Sequence, residues 1–175
     1  AALVGHSFGA AAALRAGRRE AHRVGAVMCH DLWGYPLAEK AEGAAAVPLG
    51  ARPTAFLHSK GFRVWKSNFE KECAFVQTLK KMDAQPQVVQ ATLVESQHQN
   101  FSDIALFAPD VGRWLGANGA PEPAALLRAC NVFTAAFLRQ VAAATAEGEK
   151  GKGGGGGQAA AGAALLPGGR HFEYM

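Results

Sequence analysis

The sequence predicts an α/β fold, a parallel sheet with crossover helices, on three observations. Short apolar runs alternate with segments of helical spacing. Each apolar run is bounded by polar or turn-forming residues, as strands buried on both faces are. A serine between two glycines, Gly5-His6-Ser7-Phe8-Gly9, joins the first apolar run to the first helical one. Parallel neighbours need a covering crossover between them, and this alternation supplies one at each step.

The elements follow in order. Ala1-Ala2-Leu3-Val4 is the first strand, and an alanine-rich run ending at Arg15-Ala16-Gly17 is the first helix. Strand, sharp turn and helix around a G-x-S-x-G pentapeptide make the context of a nucleophile elbow. The turn strains the serine and exposes its hydroxyl, and side chains on either side would collide with the strand and helix, which accounts for Gly5 and Gly9. Residues 23–30 form a second buried strand that ends at Asp31. After the turn-prone Gly50-Ala51-Arg52-Pro53, residues 54–58 form a third. Residues 66–82 carry Phe69, Cys73, Val76 and Leu79 at helical spacing, one apolar stripe on a charged helix. Pro86 separates that helix from a strand over 88–94, which runs into a polar loop from Glu95 to Phe101. Pro123 opens a helix with Leu126, Cys130, Phe133, Phe137 and Val141 on one face, expected to pack on the sheet. From Glu147 the composition turns to glycine, alanine and lysine, with too little apolar surface to offset its backbone entropy. Residues 1–146 are therefore expected to fold and 147–175 to form a flexible tail.

Composition narrows the function. A chain of 175 residues, 49% hydrophobic and 18% charged, suits one soluble globular domain. The net charge of +4 is scattered, without a basic stripe interleaved with aromatics, which argues against nucleic-acid binding. A mild attraction to anionic lipid surfaces is compatible with it. Cys29, Cys73 and Cys130 form no CxxC pair and sit in apolar runs, as packed thiols do. They require no oxidising compartment, which favours a cytoplasmic setting and leaves a secreted one open. No signal peptide, lipidation motif or apolar stretch long enough to cross a membrane is present. The first residue is not methionine and lies inside a strand, so the true N-terminus is expected upstream.

A serine at such an elbow needs a base and an acid, in the chain order Ser, Asp or Glu, His. Of six histidines, His6 lies in the elbow, His22 before a strand and His171 in the tail. His30 and His58 stand near strand ends and remain candidates. His98 follows the last strand, where this order puts the base. The commoner position for the acid, after the third strand, holds Ser59, Lys60 and Gly61 and no carboxylate. Asp31, at the end of the second strand, is left as the acid able to reach an imidazole across the top of the sheet.

Three stretches together resemble the platelet-activating factor acetylhydrolases of the plasma and type II intracellular kind: Gly5-His6-Ser7-Phe8-Gly9, Asp31-Leu32-Trp33-Gly34-Tyr35-Pro36-Leu37, and His98-Gln99-Asn100-Phe101-Ser102-Asp103. The likeness runs to about Leu115, with Ala10 where the family usually has a second glycine. It implies an α/β-hydrolase fold whose N-terminal half is missing from this chain. It also implies a serine esterase that hydrolyses short or oxidised sn-2 acyl chains of glycerophospholipids, without calcium, metal or cofactor. On that likeness Ser7 is the nucleophile, His98 the base and Asp31 its orienting acid. The Phe8 backbone N–H gives one oxyanion donor, and Trp33, Tyr35 and Phe101 wall the substrate site. Partners would be the phospholipid substrate and a peripheral membrane or lipoprotein surface. Two alternatives stay open: a general carboxylesterase of the same fold, and a non-catalytic truncated remnant.

Overall fold

The computed structural model describes residues 1–38, 52–80, 87–119, 122–151 and 172–174. Five strands form one sheet in the order β1 (Ala2–His6), β2 (Ala26–His30), β3 (Thr54–Ser59), β4 (Val88–Leu93) and β5 (Phe172–Tyr174). The first four are parallel, as the alternation predicts, with Gly5 opposite Cys29, Cys29 opposite Phe56 and Phe56 opposite Gln90.

Every residue of β2 and β3 is buried, so these strands cover both sheet faces with core. Their alternation divides the core in two. Val27, Cys29 and Phe56 pack with Ala10, Leu14, Val76 and Leu79 against α1 (Phe8–Arg19) and α4 (Lys66–Lys80). Met28, Ala55, Leu57, Ala91 and Leu93 face the other way, onto Leu126, Cys130, Phe133 and Phe137 of α7 (Pro123–Gly151). The face of α7 read from its spacing is the face that meets the sheet.

Short elements that carry no periodic signal complete the fold: α2 (Tyr35–Ala38), α3 (Lys60–Arg63), a single 3-10 turn over His98–Phe101, α5 (Ile104–Phe107) and α6 (Pro109–Trp114). The last two lie in a stretch for which the sequence reading offered no element.

The tail expected over 147–175 is corrected at both ends. The α7 backbone continues through Glu147 to Gly151. Phe172–Tyr174 pairs antiparallel with β4, placing Phe172 beside Leu93 and its ring 5.5 Å from that of Phe133. An aromatic that buries against the sheet outweighs the glycine-rich composition before it. The intervening 152–171 lie outside the described residues, as do Gly50, Ala51, Met82 and Pro86.

Candidate active site

At the elbow the chain passes from β1 into α1 with only Ser7 between them. The reversal forces Ser7 to φ 58° and ψ −121°, a region that residues with a side chain rarely occupy. The surroundings fix it there: the Ser7 N–H donates to the His30 carbonyl at 2.9 Å, and the Ser7 carbonyl accepts from Ala10 and Trp33. The reversal folds α1 onto β1 so closely that a Cβ on Gly5 would stand 2.3 Å from the Gly9 carbonyl oxygen. Gly5 is thus required by contact, as expected. Gly9 is not: a Cβ there meets nothing within 4 Å, so the collision is one-sided and the paired steric reading is corrected. The Phe8 N–H opens α1 and is one of the first-turn donors without an intrahelical acceptor.

Asp31 ends β2 with φ 44° and is fully buried. Three donors hold its carboxylate. The Ser59 N–H reaches Oδ1 at 2.6 Å, the Ser59 hydroxyl reaches Oδ2 at 2.6 Å, and the His98 Nδ1–H reaches Oδ2 at 2.8 Å. The loop after Asp31 is held from α4, where Asn68 donates to the Leu32 carbonyl and accepts from the Gly34 N–H.

His98 opens the 3-10 turn after β4. Asn100, fully buried, shapes that loop by accepting from the N–H groups of Gln97 and Gly119, both at 2.8 Å. Asn100→Ala would leave both buried donors unpaired. The expected cost is about 2–4 kcal/mol, or roughly 5–15 °C in melting temperature. Asn100→Asp keeps the acceptor and should lose less, since the Asn100 amide nitrogen has no partner to forfeit. Thermal melts of the two variants check the ranking.

The other two histidines that the sequence left open are engaged elsewhere. Thr134 donates its only hydroxyl proton to the Cys130 carbonyl, so His30 Nε2 is the donor in its 2.9 Å bond to Thr134. Burial, with His6 nearby, lowers the His30 pKa to about 4. His58 lies 3.1 Å from Glu72 in the core between β3 and α4, both side chains almost wholly buried. His6 touches His98 directly, with ring centroids 4.4 Å apart. Burial, then the neighbouring His98, lowers its pKa.

A family model for platelet-activating factor acetylhydrolase, isoform II, matches residues 1–157. The chain belongs to that family. A search of curated proteins finds no match. Membership makes this acetylhydrolase-family chain a hydrolase of the lipid-esterase kind, with the α/β-hydrolase fold.

Around the elbow of this acetylhydrolase-family chain the aromatics divide. Trp33 lies 6.0 Å from Phe8, with its indole N–H buried and unpartnered. Tyr35 stacks on Trp65 at 5.7 Å and bonds Ser67 through its hydroxyl. Phe101 is buried in the core, stacked on His30 with centroids 5.2 Å apart and 5.8 Å from His6. Two residues escaped sequence reasoning, Ser59 and Phe62. Ser59 stands where an acid would follow β3 but is no carboxylate, and Phe62 lies in a four-residue helix too short to show a period. Among the described residues His6, Asp31 and His98 also bring one ligand-type atom each within 4.8 Å of one another, although they lie far apart in the sequence. Both Asp31 oxygens there are already bound to Ser59 and His98.

Proposed function

We propose that this chain is a serine esterase that removes short or oxidised sn-2 acyl groups from glycerophospholipids through Ser7, His98 and Asp31. The observation that carries the reading is the hydrogen bond from the partly exposed His98 to the buried Asp31, beside a strained serine at an elbow. His98 Nε2, the ring nitrogen left free by Asp31, takes the Ser7 proton as Oγ attacks the ester carbonyl. The Phe8 N–H supports the oxyanion. Collapse breaks the ester bond, and His98 returns the proton to the lysophospholipid oxygen. Water, deprotonated by the same imidazole, then attacks the acyl-serine; the acyl–Oγ bond breaks, the imidazolium returns its proton to Ser7 Oγ, and the free acid leaves. The name of the family supports an acetyl-sized acyl group.

A lipid substrate has to be reached at a surface. No helix among the described residues is long and apolar enough to cross a membrane. Beyond the His98 loop, α5 and α6 expose Ile104, Phe107, Val111 and Trp114, with Phe107 at 85% and Trp114 at 84%. Aromatics at that exposure suit the boundary between water and lipid, and they support peripheral docking.

Acetate release from a 2-acetyl glycerophospholipid carried in phosphatidylcholine vesicles, compared with release from a soluble acetate ester, tests both parts. The phospholipid should be turned over faster. Phe107→Ser with Trp114→Ser should raise the apparent KM for vesicle-borne substrate by about tenfold, in line with one to two kcal/mol of lost burial, and leave the soluble ester unaffected. Equal turnover of both esters would favour a general carboxylesterase, and no hydrolysis of either would favour a non-catalytic chain.

A further inference from the structure

The His98 imidazole is held by more than its bond to Asp31. A single hydrogen bond at Nδ1 fixes one edge of a ring and leaves the plane free to swing about the N–O line. The Phe62 ring stacks on the imidazole, with an interplanar angle of 11° and centroids 4.6 Å apart. That contact removes the swing. His6 makes a second ring contact, with its centroid 4.4 Å from that of His98.

Phe62 and Ser59 belong to one short turn. The Ser59 hydroxyl donates to Asp31 Oδ2 and at the same time accepts from the Phe62 N–H at 3.0 Å, capping α3. The group that orients the acid is therefore the group that sets the start of the helix bearing the stacking ring. The turn is laced to the histidine loop as well. Lys60 N–H donates to the Ser96 hydroxyl, Gly61 N–H donates to the Ser96 carbonyl, and Ser96 donates to the Leu93 carbonyl at the end of β4. A Cβ on Gly61 would stand 1.8 Å from the Gln97 side-chain oxygen, so a larger residue there would have to displace that side chain.

We infer that the β3–α3 turn is a positioning device for the imidazole, in which Ser59 orients Asp31 and Phe62 sets the plane of His98, so that Nε2 is directed before substrate arrives. Neither residue touches the reacting atoms; both act through the acid and the base. The inference rests on the triad reading above. Preorganisation of this kind shows in kcat, because misplacing a reacting group by about 1 Å costs on the order of 100-fold while leaving substrate contacts in place.

The test uses the whole chain with a soluble acetate ester, an active-site serine probe, and the downfield proton resonance of the hydrogen-bonded His98 Nδ1–H. Ser59→Ala and Phe62→Leu should each lower kcat by about 10- to 100-fold with KM unchanged, and shift or broaden the Nδ1 proton. Ser59→Thr and Phe62→Tyr, which keep the hydroxyl and the aromatic face, should restore kcat to within a few-fold. They also serve as the folded comparison if either truncation melts early. Wild-type kcat in Ser59→Ala and Phe62→Leu, or loss of kcat with the Nδ1 resonance unmoved, would overturn the inference. A wild-type chain whose Ser7 the probe does not label would overturn the triad reading itself, an outcome distinct from the first two.

Discussion

Ser7→Ala is expected to abolish ester hydrolysis, with kcat falling on the order of 10⁴- to 10⁶-fold, while the fold survives. The hydroxyl makes no hydrogen bond on which the elbow depends; the turn is held by the Ser7 backbone, through His30, Ala10 and Trp33. Alanine needs the same φ of 58°, so the strain at the elbow is unchanged. The melting temperature should therefore stay within a few degrees of the parent, and labelling by the serine probe should vanish. A variant that hydrolysed the acetyl phospholipid at the parental rate would show that another nucleophile does the work.

Asp31→Asn should be almost as severe, about 10⁴-fold in kcat, and for a different reason. The carboxylate accepts from three donors, and His98 Nδ1 carries a proton because it faces an acceptor. An amide must place its NH₂ group toward one of these donors. Toward His98, it demands that Nδ1 accept, which moves the imidazole proton to Nε2 and leaves no lone pair to receive the serine proton. Turned the other way, it sets the amide N–H against the Ser59 backbone N–H. The first arrangement removes the base and the second loosens the acid. The pH dependence of kcat/KM for Asp31→Asn, together with its Nδ1 proton spectrum, separates them. Parental activity would remove Asp31 from the mechanism.

Much of this architecture was legible in the sequence, because it depends on local signals. Residues 26–30 and 54–59 are apolar runs buried on both faces, and strands of that kind announce themselves. Leu126, Cys130, Phe133 and Phe137 recur at helical spacing because α7 lies flat on the sheet. The chain order of Ser7, Asp31 and His98 could be read because each follows or ends a strand of a parallel sheet. What could not be read depends on contacts between distant segments. Ser59 is an unremarkable serine until Asp31, 28 residues earlier, comes within 2.6 Å of it. Glu72 falls within an apolar helical stripe yet is buried against His58, and nothing in the spacing distinguishes it from a solvated glutamate. Phe172 was assigned to a tail on composition, since a three-residue strand is too short to show a period.

That last strand reaches beyond the sheet edge it covers. Arg63, the residue after Phe62, donates to Thr92 on β4 and pairs with Glu173 on β5 at 2.8 Å. Without β5, the outer backbone groups of β4 would be an open template for another chain. With it, residues 91–93 of that edge are paired from within the same molecule, and the guanidinium that spans β4 and β5 also anchors the end of the turn that bears Phe62. Protection against intermolecular pairing and the setting of that turn are in this way tied to one arginine.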